Sequence, residues 1–181
     1  FVRVLDGAQQ RRIGLHRQHG RIVEGAGHEC EYGYVLDGHA VGVLDEDLRK
    51  ACLGALAIGN GRPLWARDAS SYVGIAEGFG NLYVSEASGM LSAFESSGGA
   101  LRWQNDQLLR RSLSTPATIG NYVAVADFDG YVHLLSQIDG HLVGRVRADN
   151  DGVRADMISS GGMLYVYGND GGLRAYRVES R

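Results

Sequence analysis

Apolar and polar residues alternate in short runs over most of this chain. Val123 and Val125 stand two apart, and so do Val132 and Leu134 on the other side of Asp129-Gly130. A period of two belongs to an extended strand; a helix would repeat every 3.6 residues. The runs themselves recur. Leu82, Val84, Gly89, Leu91, Ala93, Phe94, Gly99 and Leu101 reappear 41 positions on as Val123, Val125, Gly130, Val132, Leu134, Leu135, Gly140 and Leu142. The same step taken again reaches Leu164, Val166, Gly171, Leu173, Ala175 and Tyr176, with no insertion or deletion between matched positions.

Each repeat carries its own turn chemistry. Ser88-Gly89, Asp129-Gly130 and Asp170-Gly171 place glycine where a tight hairpin needs positive φ, and Gly98-Gly99 and Asp139-Gly140 mark a second turn. Four strands in a unit of about 40 residues make a propeller blade, whose two faces must stack on neighbouring blades. The expected fold is therefore all-β: a partial β-propeller of about three to four four-stranded blades.

In chain order, Ala55–Trp65 reads as the closing hairpin of one blade, with its turn at Asn60-Gly61. The next blade enters at Ser70–Ala76 and closes at Trp103. A third enters at Ser114–Thr118, where Pro116 is tolerated at the start of a strand. The last enters at Val153–Ile158 and stops at Tyr176-Arg177, lacking the final Gly-x-x-x-Trp strand. Residues 51–181 are thus expected to be propeller blades with the last one incomplete, and the missing strand must come from elsewhere. The 181 residues are too few for the commonest closed rings, so the expectation is a slice of a larger one.

Residues 1–50 do not carry the repeat. Ala51 replaces the turn glycine, and Leu44-Asp45-Glu46 falls where Leu82-Tyr83-Val84 would lie. Tyr34-Val35-Leu36 and Val41–Leu44 still read as strands, so this atypical segment can be taken as a degenerate blade. An abrupt loss of pattern restored downstream is equally what a locally shifted reading frame would produce. Four of the six histidines, His16, His19, His28 and His39, lie here with Cys30. His16-x-x-His19 and His28-x-Cys30 have metal-ligand spacing, but no second pair completes a tetrahedral set. Solvated histidines are the favoured reading, and no metal is assigned.

Composition narrows the function. A net charge of -3, with 22% charged residues, argues against nucleic acid as the main partner. The 27 glycines and two prolines suit a turn-rich β chain. Asp149-Asn150-Asp151-Gly152 begins like a calcium loop but lacks the fifth-position ligand and the distal glutamate, so a turn is favoured. Glu86, Asp127, Asp129 and Asp170 beside turn glycines are expected to accept turn amides. His133, with Ser136 and Asp139 nearby in sequence, lacks the nucleophile elbow of a hydrolase. Trp65 and Trp103 recur at one blade position, which points to packing between blades. Arg110 and Arg111, with Arg102, Arg145, Arg147 and Arg154, are scattered cations whose loops are where a propeller binds; Arg110 and Arg111 are the partner-binding candidates. No catalytic or cofactor-binding residue is assigned.

The phrase Gly-x-Leu-Tyr-Val-x-x-x-x-Gly-x-Leu-x-Ala-Phe, closed by Gly-x-x-x-Trp, resembles the pyrroloquinoline-quinone-like (PQQ-like) propeller repeat. The run Leu108–Pro116, followed by Gly120–Val123 and Asp127–Tyr131, and the ending Gly162–Tyr167 are similar to the C-terminal part of the BamB family. The likeness extends over about residues 53–178, inter-blade loops included. It implies an eight-bladed propeller lipoprotein on the periplasmic face of the bacterial outer membrane, without catalytic activity. It further implies a scaffold of the β-barrel assembly machinery, the Bam complex. Such a scaffold docks on the POTRA domains of BamA and helps unfolded outer-membrane proteins fold and insert. The lipid anchor would lie outside this chain. Family docking residues fall upstream of the blade ending at Trp65, so none is carried over. The alternative is a fragment of a PQQ-dependent quinoprotein dehydrogenase. That class uses adjacent cysteines and a calcium held by Glu, Asn and Asp, whereas Cys30 and Cys52 are far apart here and no Cys-Cys pair occurs.

Overall fold

The computed structural model describes the backbone of residues 2–6, 9–13, 20–25, 28–36, 39–45, 51–58, 60 and 62–179, with side chains from residue 53 onward. Every regular element among them is a strand. β1 (Val2–Asp6) pairs with β2 (Gln9–Ile13). β3 (Gly20–Gly25), β4 (His28–Leu36), β5 (His39–Asp45), β6 (Ala51–Ala57) and β7 (Pro63–Asp68) form one five-stranded sheet. β8 (Ile75–Gly78), β9 (Asn81–Ser85), β10 (Leu91–Glu95) and β11 (Leu101–Asn105) form a four-stranded sheet, as do β12 (Ala117–Ile119), β13 (Tyr122–Ala126), β14 (Tyr131–Ser136) and β15 (Leu142–Arg147). β16 (Ile158–Ser160), β17 (Met163–Tyr167) and β18 (Leu173–Arg177) make a sheet of three. Strand order follows chain order in every sheet, which is the meander of a propeller blade.

The repeat fixes register as well as strand count. Ala55 pairs with Trp65, Ala93 with Trp103 and Leu134 with Gly144, and a bulge follows each pair. Two expectations shift. The blades begin later than the alternation suggests, at Ile75, Ala117 and Ile158. Before β12, Ser114 bonds through both backbone and side chain: its amide donates to Ala126 O (2.8 Å) and its Oγ accepts from Ala126 N (3.0 Å). Pro116 then immediately precedes the strand and needs no ladder donor. The sheet containing β6 and β7 has five strands, not four. Where Ala51 stands in place of a turn glycine nothing enforces an early stop, and β4 runs nine residues and β5 and β6 seven, against five or six in the later hairpins.

The chain divides into two compact units, Phe1–Ile75 with Glu95–Ala100, and Ala76–Phe94 with Leu101–Arg181. In the first, the Trp65 indole Nε1 donates to Ser96 O (3.2 Å), while Arg67 Nε donates to Gly99 O (2.7 Å) and Nη2 to Gly98 O (3.0 Å). A β-carbon at Gly99 would stand 2.5 Å from the Trp65 ring.

The second unit holds two apolar layers. Tyr83, Leu91, Ala93 and Trp103 pack with Val123, Val125 and Leu135 and with the loop anchors Leu108 and Leu113. Ala124, Ala126 and Val132 pack with Val153, Met157, Leu164 and Val166. Side chains alternate across β13, so Val123 and Val125 face one layer and Ala124 and Ala126 the other. The middle sheet is therefore buried on both faces, as stacked blades require. Trp103 repeats the Trp65 arrangement: its Nε1 donates to Gln137 O (3.1 Å), and Asn105 Nδ2 donates to Gly140 O (2.8 Å).

Candidate functional site

In the second unit the turns joining the second and third strands of each sheet meet the loops that lead from sheet to sheet, and this end carries the polar chemistry. Each turn has one backbone frame. Glu86 N donates to Met90 O (2.8 Å), Asp127 N to Tyr131 O (2.9 Å) and Gly168 N to Gly172 O (3.0 Å). On that shared frame the side chains diverge. Glu86 Oε1 bonds Ser92 Oγ, and Gln104 Nε2 donates to the same hydroxyl at 3.1 Å. At Gly168 a β-carbon would stand 1.8 Å from Asp149 Oδ2, so the Asp149 carboxylate of the preceding loop fills the space a side chain would take. Asp149 there accepts from Asp170 N (3.2 Å) and lies 3.5 Å from Arg174 Nη1.

The middle repeat builds the most buried of these clusters. The Asp127 side chain is fully buried; its Oδ1 accepts from Tyr131 N (2.8 Å), and its Oδ2 lies 2.8 Å from both Arg111 Nη1 and His133 Nε2. Burial pushes the Asp127 pKa up, but hydrogen bonds from His133, the Tyr131 amide and Arg111 together outweigh it and hold the carboxyl below its ordinary value. Among the described residues, His133 Nδ1 is the buried side-chain polar atom left without a partner. Arg111 Nη1 also reaches Asp129 Oδ2 at 3.4 Å.

Arg111 belongs to a loop that is tightly held. Leu109 N donates to Asp106 O (3.2 Å), Arg110 N to Ser88 O (2.9 Å), Arg111 N to Leu108 O (3.3 Å), and Phe128 N returns to Arg111 O (3.1 Å). Buried Leu108 and Leu113 anchor its two ends. Between them Arg110 and Ser112 take left-handed backbone angles, φ 65° and 49°, which a side chain disfavours. Leu109, Arg110 and Phe128 are exposed, and the Arg154 guanidinium lies 5.1 Å above the Phe128 ring.

The candidates named from sequence separate accordingly. Arg111 is committed to Asp127 and Asp129, whereas Arg110 is exposed. Asp127 and Asp170 accept turn amides as expected, the latter from Gly172 N at 2.7 Å. Glu86 and Asp129 instead take side-chain partners, Ser92 and Arg111. His133 pairs with Asp127 and not with its sequence neighbours; Ser136 Oγ accepts from Ile138 N (3.2 Å), and Asp139 pairs with His141 at 2.6 Å. Asp149 Oδ1 accepts from Asp151 N, which is a turn. The side chains of His16, His19, His28, Cys30 and His39 lie outside the described residues. Arg145 and Arg147 both stack on Tyr131, at 5.1 and 5.3 Å.

Sequence reasoning passed over Gln137. Its Nε2 donates to Gly120 O and Tyr122 O (both 2.9 Å), and its Oε1 accepts from the Tyr83 hydroxyl (3.0 Å), tying two sheets together. The signal was there: the equivalent position one repeat earlier is Ser96, so a long amide stands where the repeat before it carries a short hydroxyl.

The family model described as "Outer membrane protein assembly factor BamB" matches residues 87–181. The protein of that name from Pseudomonas aeruginosa is 49% identical over 150 residues, 83% of this chain and 39% of that protein. A match of that extent is too long to fit within residues 51–181, so it takes in part of the atypical segment. The namesake from Legionella pneumophila is 36% identical over 126 residues, 70% of this chain and 33% of that protein. The crystal structure of BamB from Moraxella catarrhalis superposes with a TM-score of 0.74 at 24% identity, covering 94% of this chain and 49% of that one. Quinohemoprotein alcohol dehydrogenase from Comamonas testosteroni shares the fold at a TM-score of 0.60 and 15% identity, over 74% of this chain and 28% of that one. The chain spans less than half the length of the relatives named here. Its class is all-β, a partial PQQ-like propeller.

Proposed function

This chain belongs to the BamB family of outer membrane protein assembly factors, and from that membership we propose that the protein containing it is a non-catalytic scaffold of the β-barrel assembly machinery. It docks on the periplasmic POTRA domains of BamA and helps unfolded outer-membrane proteins fold and insert. It works on the periplasmic face of the outer membrane, held there by a lipid anchor. One observation carries the reading: the family match over residues 87–181 takes in inter-blade loops as well as blade strands. A shared fold alone would not reach so far, because one fold serves many functions and loops are where those functions differ. The dehydrogenase alternative rests on likeness of fold at 15–17% identity, which supports common architecture only.

The deciding experiment immobilises the full-length protein and asks whether the purified periplasmic domains of BamA are retained. Saturable retention is expected; none would end the docking proposal. The same preparation is expected to show no quinone absorbance and no calcium-dependent alcohol oxidation, and either signal would favour the enzyme.

A further inference from the structure

We propose that the outer edge of β15 takes an extended polypeptide segment as an added strand, with acidic residues at alternate positions of that segment set against Arg145 and Arg147. The inference goes beyond docking on BamA and stands or falls without it. The ligand is defined by backbone conformation and charge, both of which the edge itself dictates.

The backbone sets the first half of the ligand. β15 is the last strand of its sheet, paired with β14 on one side and, among the described residues, with no strand on the other. Amides and carbonyls on such an edge point outwards at alternate residues, and a further strand satisfies the whole row. Other closing strands are guarded. β7 carries Pro63 and the acid Asp68, and its Arg67 is spent on the carbonyls of Gly98 and Gly99. On β11, Gln104 bonds Ser92 Oγ and Asn105 bonds Gly140 O. β15 has neither proline nor acid, and it leaves Leu142, Val143 and Val146 exposed.

The side chains set the second half. Arg145 and Arg147 stand two apart, so they share one face of the strand, roughly 6.6 Å apart along it. Both are exposed, and both guanidinium groups lie over the one ring of Tyr131, at 5.1 and 5.3 Å. The ring thus gathers two like charges, and among the described residues neither has a carboxylate partner. Arg147 gives up only its Nε, to Asp149 O at 3.3 Å. An added strand has the same two-residue period, so acids at its positions i and i+2 meet both cations, whereas a basic strand is repelled. The repeat does not require this set. One unit earlier, Tyr131, Arg145 and Arg147 correspond to Met90, Gln104 and Asp106, and that blade forms without it.

Fluorescence anisotropy on the full-length protein tests this with labelled peptides of equal length. One alternates Glu and Val, one alternates Lys and Val, and one is the Glu–Val peptide with its backbone amides N-methylated. The first should bind saturably, and the other two about tenfold more weakly or worse. The double variant Arg145→Gln, Arg147→Gln should lose about fivefold or more in affinity for the Glu–Val peptide while unfolding at the same temperature. Arg102→Gln, on the outer strand of the preceding sheet, should bind as the unmodified protein does. If the Glu–Val peptide does not bind, or the double variant binds it undiminished, the assignment to β15 is wrong. If the N-methylated peptide binds as tightly, the contact is charge alone and strand addition is wrong. Retention of the BamA domains is read separately, so either proposal can fail while the other survives.

Discussion

Trp103 rests on Gly140 so closely that a β-carbon on the glycine would stand 2.3 Å from the indole ring. The glycine also holds φ 73°, so it is fixed by two independent constraints, contact and backbone angle. Gly140→Ala is expected to destabilise the protein by about 3 kcal/mol, from left-handed strain and overpacking together. Gly144, on the outer strand of the same sheet, has no atom within 4 Å of its β-carbon position. Gly144→Ala should therefore be neutral within about 0.5 kcal/mol. Denaturant midpoints of the two variants provide the comparison, and equal losses would refute the contact argument.

Removing the indole tests the same contact from the other side. Trp103→Phe keeps an aromatic ring but leaves Gln137 O without its 3.1 Å donor. A loss of about 2 kcal/mol is expected in equilibrium unfolding, shared between lost volume and the missing hydrogen bond.

Tyr83 and Gln137 should show strong non-additivity. Tyr83→Phe strips the buried Gln137 Oε1 of a donor at 3.0 Å, while Gln137→Leu leaves the Tyr83 hydroxyl only the longer contacts to Gly78 O (3.3 Å) and Gln137 O (3.4 Å) and removes the amide that serves Gly120 O and Tyr122 O. The first should cost about 1 kcal/mol and the second about 2 to 3. The double variant should lose less than their sum, because the one bond between the two side chains is counted in both single losses. A double-mutant cycle with no coupling would count against the network.

Asp127 makes stability depend on acid. Its folded-state pKa lies below the ordinary aspartate value of about 3.9, so the unfolded chain takes up the proton first. The contribution is complete above that value and is lost as pH falls through the lower folded-state pKa. Asp127→Asn should be less stable than the parent at pH 7 by about 2 to 4 kcal/mol, since half-buried Arg111 loses its counter-charge and the carboxylate that bonds buried His133 is gone. The gap should narrow in urea titrations taken from pH 5 towards pH 2. A constant gap would show that the carboxylate charge is not what the cluster needs.

Much of this architecture can be read directly along the chain because its determinants are local. Gly89, Gly130 and Gly171 stand where the sheet hairpins turn, each with φ above 80°. The paired tryptophans announce contact between sheets before any coordinate is known. What the sequence conceals is choice among neighbours. Arg110 and Arg111 look alike in a row of letters, yet only Arg111 points at a buried acid, and that acid is 16 residues away. His133 sits beside Ser136 and Asp139 in sequence but turns towards Asp127. Asp149 fills a void created by Gly168, a relationship across about half a repeat that no periodicity reveals. The five-stranded sheet escaped for the opposite reason: three of its strands, β3 to β5, lie in residues 20–45, where no repeat is present to count them.

The indole of each closing strand, at Trp65 and again at Trp103, fits a hollow that belongs to the hairpin following it in the chain. Because the same joint recurs, a module moved along the chain keeps its seat only where the hairpin it meets carries a glycine at that position, and a side chain there would unseat the module before it.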